Sequence, residues 1–112
     1  MNPLPIWLSA AAALACVSFS ARAEDVEATL VIDALHRFQP DSLTVPAGKK
    51  IKLTVENRDV AAEEFESFPL NREKVIAGNS KAIIYIGPLQ PGRYPFIGEF
   101  HADTAHGVIV AQ

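Results

Sequence analysis

The sequence predicts an all-β fold, a sandwich or barrel built from short strands. Three observations carry that prediction. Lys50-Ile51-Lys52-Leu53-Thr54-Val55-Glu56 alternates without a fault, so Ile51, Leu53 and Val55 face one way and the charged and polar residues the other. Apolar or alternating runs recur about every 8–12 residues along the chain. Pro and Gly punctuate them at Pro46-Ala47-Gly48, Gly87-Pro88 and Pro91-Gly92.

Taken in order, the expected strands are Thr29 to Asp33, Ser42 to Val45, Lys50 to Glu56, Ala82 to Ile86, Tyr94 to Phe96 and Val108 to Ala111. The stretch 59–64 has some helical propensity. It reads instead as a loop leading into a short strand, Phe65 to Phe68, because Pro69 ends any regular run. Repeats and low-complexity segments are absent.

The beginning of the chain reads differently. From Leu4 to Phe19 it is nearly all apolar, and Ser20-Ala21-Arg22-Ala23 places small residues where an A-x-A cleavage site needs them. This is the pattern of a secretory signal peptide, residues 1–23, removed after Ala23. The run falls short of the roughly 18–20 apolar residues a membrane span requires. A lipoprotein signal at Cys16 would want Leu or a similar residue three positions upstream, where Ala13 stands. The domain is therefore expected over 24–112, in the periplasm, without membrane insertion of the mature chain.

Cys16 is the single cysteine of the 112 residues. A chain cut after Ala23 has no disulfide, no thiolate ligand and no sulfur nucleophile. Past Ala23 the chain carries all 13 acidic residues and, with Arg22 left behind, 9 of the 10 basic ones. An acidic balance disfavours nucleic acid and anionic membrane as partners and suits cations.

Chemistry is concentrated in two places. Side chains two apart in a strand share a face, so Glu64 and Glu66 project together while Phe65 turns to the core. Glu99, His101 and Asp103 have the same spacing, provided the backbone stays extended there. Carboxylates and imidazole brought to one point make a site for Cu(II), Fe, Mn or Zn; without thiolate they do not favour Cu(I). His106 stands at the entrance of the last strand as a further candidate, and Asp103 has the alternative of capping the turn through the Thr104 and Ala105 amides. Glu63 is expected in solvent, and His36 on the surface or in packing. Ser42, Ser67 and Ser80 sit in no nucleophile elbow, and no phosphate loop or dinucleotide fingerprint is present. No residue is assigned a catalytic role.

These residues resemble a known family. Phe38-Gln39-Pro40-Asp41-Ser42-Leu43-Thr44-Val45-Pro46-Ala47-Gly48, followed by Leu53-Thr54-Val55-Glu56-Asn57, looks like the opening of a cupredoxin. Gly92-x-Tyr94-x-Phe96 through Gly107-Val108-Ile109-Val110 looks like its close. The resemblance implies a cupredoxin-like Greek-key β-sandwich. Blue-copper members carry Cys-x2-His-x4-Met in the last loop; laid on this chain, Gly98 takes the cysteine place, His101 the histidine place and His106 the methionine place. Glu64 falls near the place of the upstream histidine. A blue-copper centre needs its thiolate, so a type 1 site is excluded.

Glu64-Phe65-Glu66-Ser67, Glu73-Lys74-Val75 and Gly98-Glu99-Phe100-His101-x-Asp103-Thr104-Ala105-x-Gly107 resemble the cupredoxin-like domains of bacterial periplasmic iron-transport systems, the EfeO type. That resemblance implies a copper and/or iron ion held by Glu64, Glu66, Glu99 and His101, with Asp103 and His106 beside them. It implies service to iron uptake with an iron permease or other uptake component as partner, and assistance to Fe(II) oxidation. The competing reading is a periplasmic copper-binding, electron-transfer or copper-delivery protein.

Overall fold

A computed structural model describes residues 2–4 and 25–112. Apart from residues 2–4, the expected signal peptide lies outside the described residues. The domain is almost entirely β: β1 Val26–Ile32, β2 Phe38–Gln39, β3 Ser42–Val45, β4 Ile51–Asn57, β5 Glu63–Ser67, β6 Arg72–Ile76, β7 Ser80–Ile86, β8 Gly92–Gly98 and β9 His106–Ala111. A single 3-10 turn, Glu99–His101, interrupts the run between β8 and β9.

The strands form a sandwich of two sheets, ordered β2-β1-β4-β7 and β3-β9-β8-β5-β6. Both sheets are mixed. β1 runs parallel to β4, with Leu30 opposite Val55, and β3 runs parallel to β9, with Leu43 opposite Ile109. Parallel neighbours far apart in sequence require the chain to cross between sheets, and this produces the Greek-key weave.

The core is what the alternation of β4 foretells. Ile51, Leu53 and Val55 are fully buried, and they meet Leu30 and Ile32 of β1, Ile84 and Ile86 of β7, and Ile109 of β9. At one end of the sandwich Phe38, Phe65 and Phe96 pack together. Phe38 meets the edges of Phe96 at 4.8 Å and Phe65 at 6.3 Å, and Phe65 stacks on Phe96 at 5.2 Å. Such offset and edge-on pairs add to the hydrophobic term by about 0.5–1.5 kcal/mol each. They also fix the inner face of β5 and β8, the two strands that carry the candidate site.

Two strands escape the sequence reading. β2 is only two residues long, and β6 spends four of its five residues in solvent, so neither shows an apolar period. β5 begins at Glu63 and ends at Ser67, two residues earlier than expected at its start and one earlier at its end. Phe68 belongs to the following turn and is 82% exposed.

Candidate metal centre

β5 sits between β6 and β8 in its sheet, with Phe65 opposite Gly98 and Glu66 opposite Ile97 on one side and Glu73 on the other. Its alternation divides its side chains between two faces. Phe65 and Glu63 point inward and are essentially inaccessible, whereas Glu64 and Glu66 share the outer face. The 3-10 turn after β8 brings Glu99 over that outer face. One carboxylate oxygen from each of Glu64, Glu66 and Glu99 lies within 4.8 Å of the others.

Glu73, directly opposite Glu66 across the β5–β6 ladder, makes this a group of four carboxylates. Among the described residues, none of the four is ion-paired with Lys or Arg. The crowding shows in the proton affinities. Glu64 is pushed up to about 7, first by the proton it shares with the Glu73 carboxyl, then by burial, then by the charges of Glu99, Glu73 and Glu66. Glu66 is raised as well, by the hydrogen bond with Glu99, by burial, and by the charges of Glu99 and Glu73. Like charges held this close raise carboxyl proton affinity, and a cation relieves the same repulsion.

His101 takes a different direction. The backbone from Glu99 onward is not extended: it turns through the 3-10 helix, and the Thr104 and Ala105 amides both donate to the His101 carbonyl. The i, i+2 spacing of Glu99, His101 and Asp103 therefore does not put them on one face. It also leaves Asp103 with no capping role at those two amides. The His101 ring reaches inward, and its Nδ1 bonds the Glu63 carboxylate at 2.5 Å.

Glu63 is thus corrected from a solvated residue to a buried anchor, 1% exposed. One of its oxygens accepts the Glu64 and Phe100 amides, each at 3.0 Å, and the other takes His101. The signal was present in the sequence: residue 63 shares its strand face with Phe65. Gly98 makes room for this carboxylate, since a Cβ there would stand 2.6 Å from the Ala105 Cβ and 2.7 Å from the Glu63 Cδ.

A second imidazole completes the inner group. His36, in the turn between β1 and β2, lies flat on His101 with ring centroids 3.8 Å apart and planes 9° from parallel. Its Nδ1 bonds the buried carboxylate of Asp59. Burial opposes ionisation of Asp59, but bonds from the Ala61 amide and His36, and the His36 charge, hold its carboxyl below the usual range. The loop carrying Asp59 is pinned by Asn57. The Asn57 amide donates to the carbonyls of Ala61, Ile76 and Ala77, and its oxygen accepts the Asp59 amide.

Asp103 and His106 are exposed and stand apart from the three-carboxylate group. Both line a depression with Arg37, Gln39, Asp41 and Thr104. The structure thus brings Glu64, Glu66 and Glu99 together, adds Glu73, and gathers His101 with Glu63, His36 and Asp59.

The donor set decides which ions suit this end of the domain. At Gly98, where the resemblance puts a thiolate, there is no side chain, and residues 25–112 hold no cysteine. A thiolate-bound copper centre does not fit. Oxygen donors backed by imidazole suit harder and borderline ions, Fe(III) and Cu(II) among them.

Comparison with known proteins agrees with the fold. The family model described as the cupredoxin-like domain matches residues 6–111. The uncharacterized protein RP394 of Rickettsia prowazekii (strain Madrid E) is 44% identical over 77 residues, 69% of this chain. The chain spans 62% of the length of that curated relative. Among solved structures, auracyanin A, a "blue" copper protein from Chloroflexus aurantiacus, superposes with a TM-score of 0.67 at 14% identity, covering 80% of this chain and all of that one. The purple cupredoxin of Nitrosopumilus maritimus gives 0.59 at 16% identity over 76% of this chain and 99% of its own. The metal-binding domain of the Streptococcus pneumoniae Cu(I)-exporting ATPase gives 0.60 at 13%, over 77% and 84%. With its two-sheet weave and a family match across nearly its whole length, the chain belongs to the cupredoxin-like domain family.

Proposed function

We propose that this protein binds a transition-metal cation at Glu64, Glu66 and Glu99, with Glu73 as a fourth carboxylate, and serves iron uptake in the periplasm. The observation that carries the reading is the convergence of three carboxylates within 4.8 Å, on a sandwich end where none of them has a basic partner among the described residues. Folding such a group against its own repulsion is reasonable where a cation completes it. All-oxygen donors favour Fe(III) over Fe(II), so a site of this kind draws the oxidised ion. The resemblance to periplasmic iron-transport domains supports iron as cargo, an iron permease as partner, and export through the N-terminal segment.

Copper is the second reading, and it rests on two supports. Structurally similar proteins include copper proteins by name, and Cu(II) outcompetes other divalent first-row ions at most nitrogen and oxygen sites. Calorimetric titration of the metal-free protein with Cu(II) and with chelated Fe(III) separates the two. The Glu66→Gln and Glu99→Gln variants are expected to bind the preferred ion at least about 10-fold more weakly than the parent, as loss of one of three charged ligands implies. Unchanged affinity in both variants overturns the site. Loss of iron accumulation in cells lacking the protein, restored by the parent and not by Glu66→Gln, tests the role in uptake.

A further inference from the structure

Among the described residues the two sheets end on four edge strands, β2 and β7 in one, β3 and β6 in the other. An edge strand presents a row of unpaired amides and carbonyls, and proteins blunt such rows with short strands, charges or proline. Three of the four edges are blunted in this way. β2 has two residues and β3 four, and β6 opens with Arg72, Glu73 and Lys74. β7 is the exception. It runs seven residues, Ser80–Ile86, pairs with β4 alone, and carries neither charge nor proline from Ala82 to Ile86. Ile83 and Tyr85 stand on its outer face, 49% and 45% exposed.

The backbone of β7 is turned to receive a further strand. Arg72 Nε donates to the Tyr85 carbonyl at 2.9 Å, so that carbonyl points away from β4. Alternate residues of a strand direct their amides and carbonyls to the same side, and Lys81 and Ile83 therefore offer theirs to the open edge as well. The Tyr85 oxygen keeps a second lone pair, which leaves the row usable. The strand is also complementary to itself. An antiparallel pair of β7 strands about a two-fold axis at Ile83 sets Ile83 against Ile83, and each Lys81 against Tyr85 of the other copy. Lys50 Nζ lies over the Tyr85 ring, 4.8 Å from its centroid, and the Lys81 stem has the ring edge to cover. The two Lys81 positions fall roughly 13 Å apart along the ribbon, four residues of strand, so no like charges oppose each other there.

We infer that this protein pairs with a second copy of itself through β7, joining the two four-stranded sheets into one continuous eight-stranded sheet. Hydrogen-bonded pairs at Lys81 with Tyr85, at Ile83 with Ile83 and at Tyr85 with Lys81 close the junction. The contact is isologous: it uses the open edge of each copy and leaves none for a third, so assembly stops at two. No member of the carboxylate group lies on β7, and the pairing is independent of metal.

Sedimentation equilibrium of the metal-free protein is expected to show a mass rising with concentration from one chain to two and no further. Ile83→Lys places two ammonium groups face to face at the axis and should weaken the pairing at least about 10-fold. Its circular dichroism should match that of the parent, since residue 83 is half-exposed. A cross-link gives the geometry without weakening the contact. In a chain carrying Cys16→Ser, which removes the single native cysteine, Ile83→Cys puts two thiols at the axis. Opposed residues of a hydrogen-bonded pair have Cα atoms about 5.5 Å apart, within the span of a disulfide. Mild oxidation should therefore link the copies through residue 83. Val75→Cys, on the exposed part of neighbouring β6, should stay a single chain under the same oxidation. A single-chain mass at every concentration overturns the proposal, as does equal pairing by the parent and Ile83→Lys. Cross-linking through Val75→Cys as readily as through Ile83→Cys overturns it too.

Discussion

Strand β5 presents three glutamates to two environments, and the contrast between them defines the molecule. Glu63, facing inward, has every oxygen engaged by the Glu64 and Phe100 amides and by His101. Glu64 and Glu66, on the outward face of the same strand, are crowded by the charges of other acids, Glu73 and Glu99. The same residue type is a structural bond on one face and a stored repulsion on the other. A buried carboxylate is tolerated where its hydrogen bonds are complete; a crowded one must take a proton or a cation. The difference teaches that charge in this domain is placed by what satisfies it rather than by exposure alone.

That contrast can be broken most forcefully at Glu63. Replacing it with Ala strands two amides and an imidazole in the interior. The expected loss is about 3–5 kcal/mol, the range for breaking a buried charged pair, and chemical denaturation measures it. A smaller loss, about 1–3 kcal/mol for forcing an atom into a packed space, is expected for Gly98→Ala. Its Cβ would press on Ala105 and Glu63, and thermal melting beside the parent checks this.

The outer face should answer to pH. The Glu64 carboxyl, ordinarily near 4.5, stands at about 7 in the fold. The folded protein therefore holds a proton that the unfolded chain has released between those values. Its contribution is full below about 4.5 and is lost as pH rises toward 7, so the metal-free protein should weaken across that window. Glu64→Gln should flatten this part of the profile in urea unfolding followed at several pH values. A metal ion competes for the same oxygens, so affinity should climb as pH passes through 7. Smallest of all, Asp103→Ala and His106→Ala, both exposed, should change stability by no more than about 0.5 kcal/mol and leave affinity at the outer carboxylates unaltered in the same titration.

Much of this was legible from residue order. The faultless alternation of β4, the Pro and Gly punctuation, and the cupredoxin-like ends led to the sandwich. The i, i+2 rule places Glu64 and Glu66 together because β5 is a true strand. The rule misleads at Glu99, His101 and Asp103, where three residues per turn replace two per repeat. β6 is hidden because Arg72, Glu73 and Lys74 show no apolar period, although Glu73 proves to be a member of the acid group. The pairing of His36 with Asp59 and of Glu63 with His101 joins residues 23 and 38 positions apart. Only the crossing of the sheets creates such proximity, and no local pattern encodes it.

Gly98 carries a consequence for how this domain can change over generations. A cysteine at 98 would run its Cβ into the Ala105 methyl and the Glu63 carboxylate, so that step is blocked while both stand. Shortening Glu63 first would leave the Glu64 and Phe100 amides without their acceptor. Each single step crosses a loss of stability, and a thiolate beside His101 would also require the Ala105 methyl to give way. The position is therefore a barrier: with the carboxylate in that space, sulfur chemistry is not easily reached one substitution at a time.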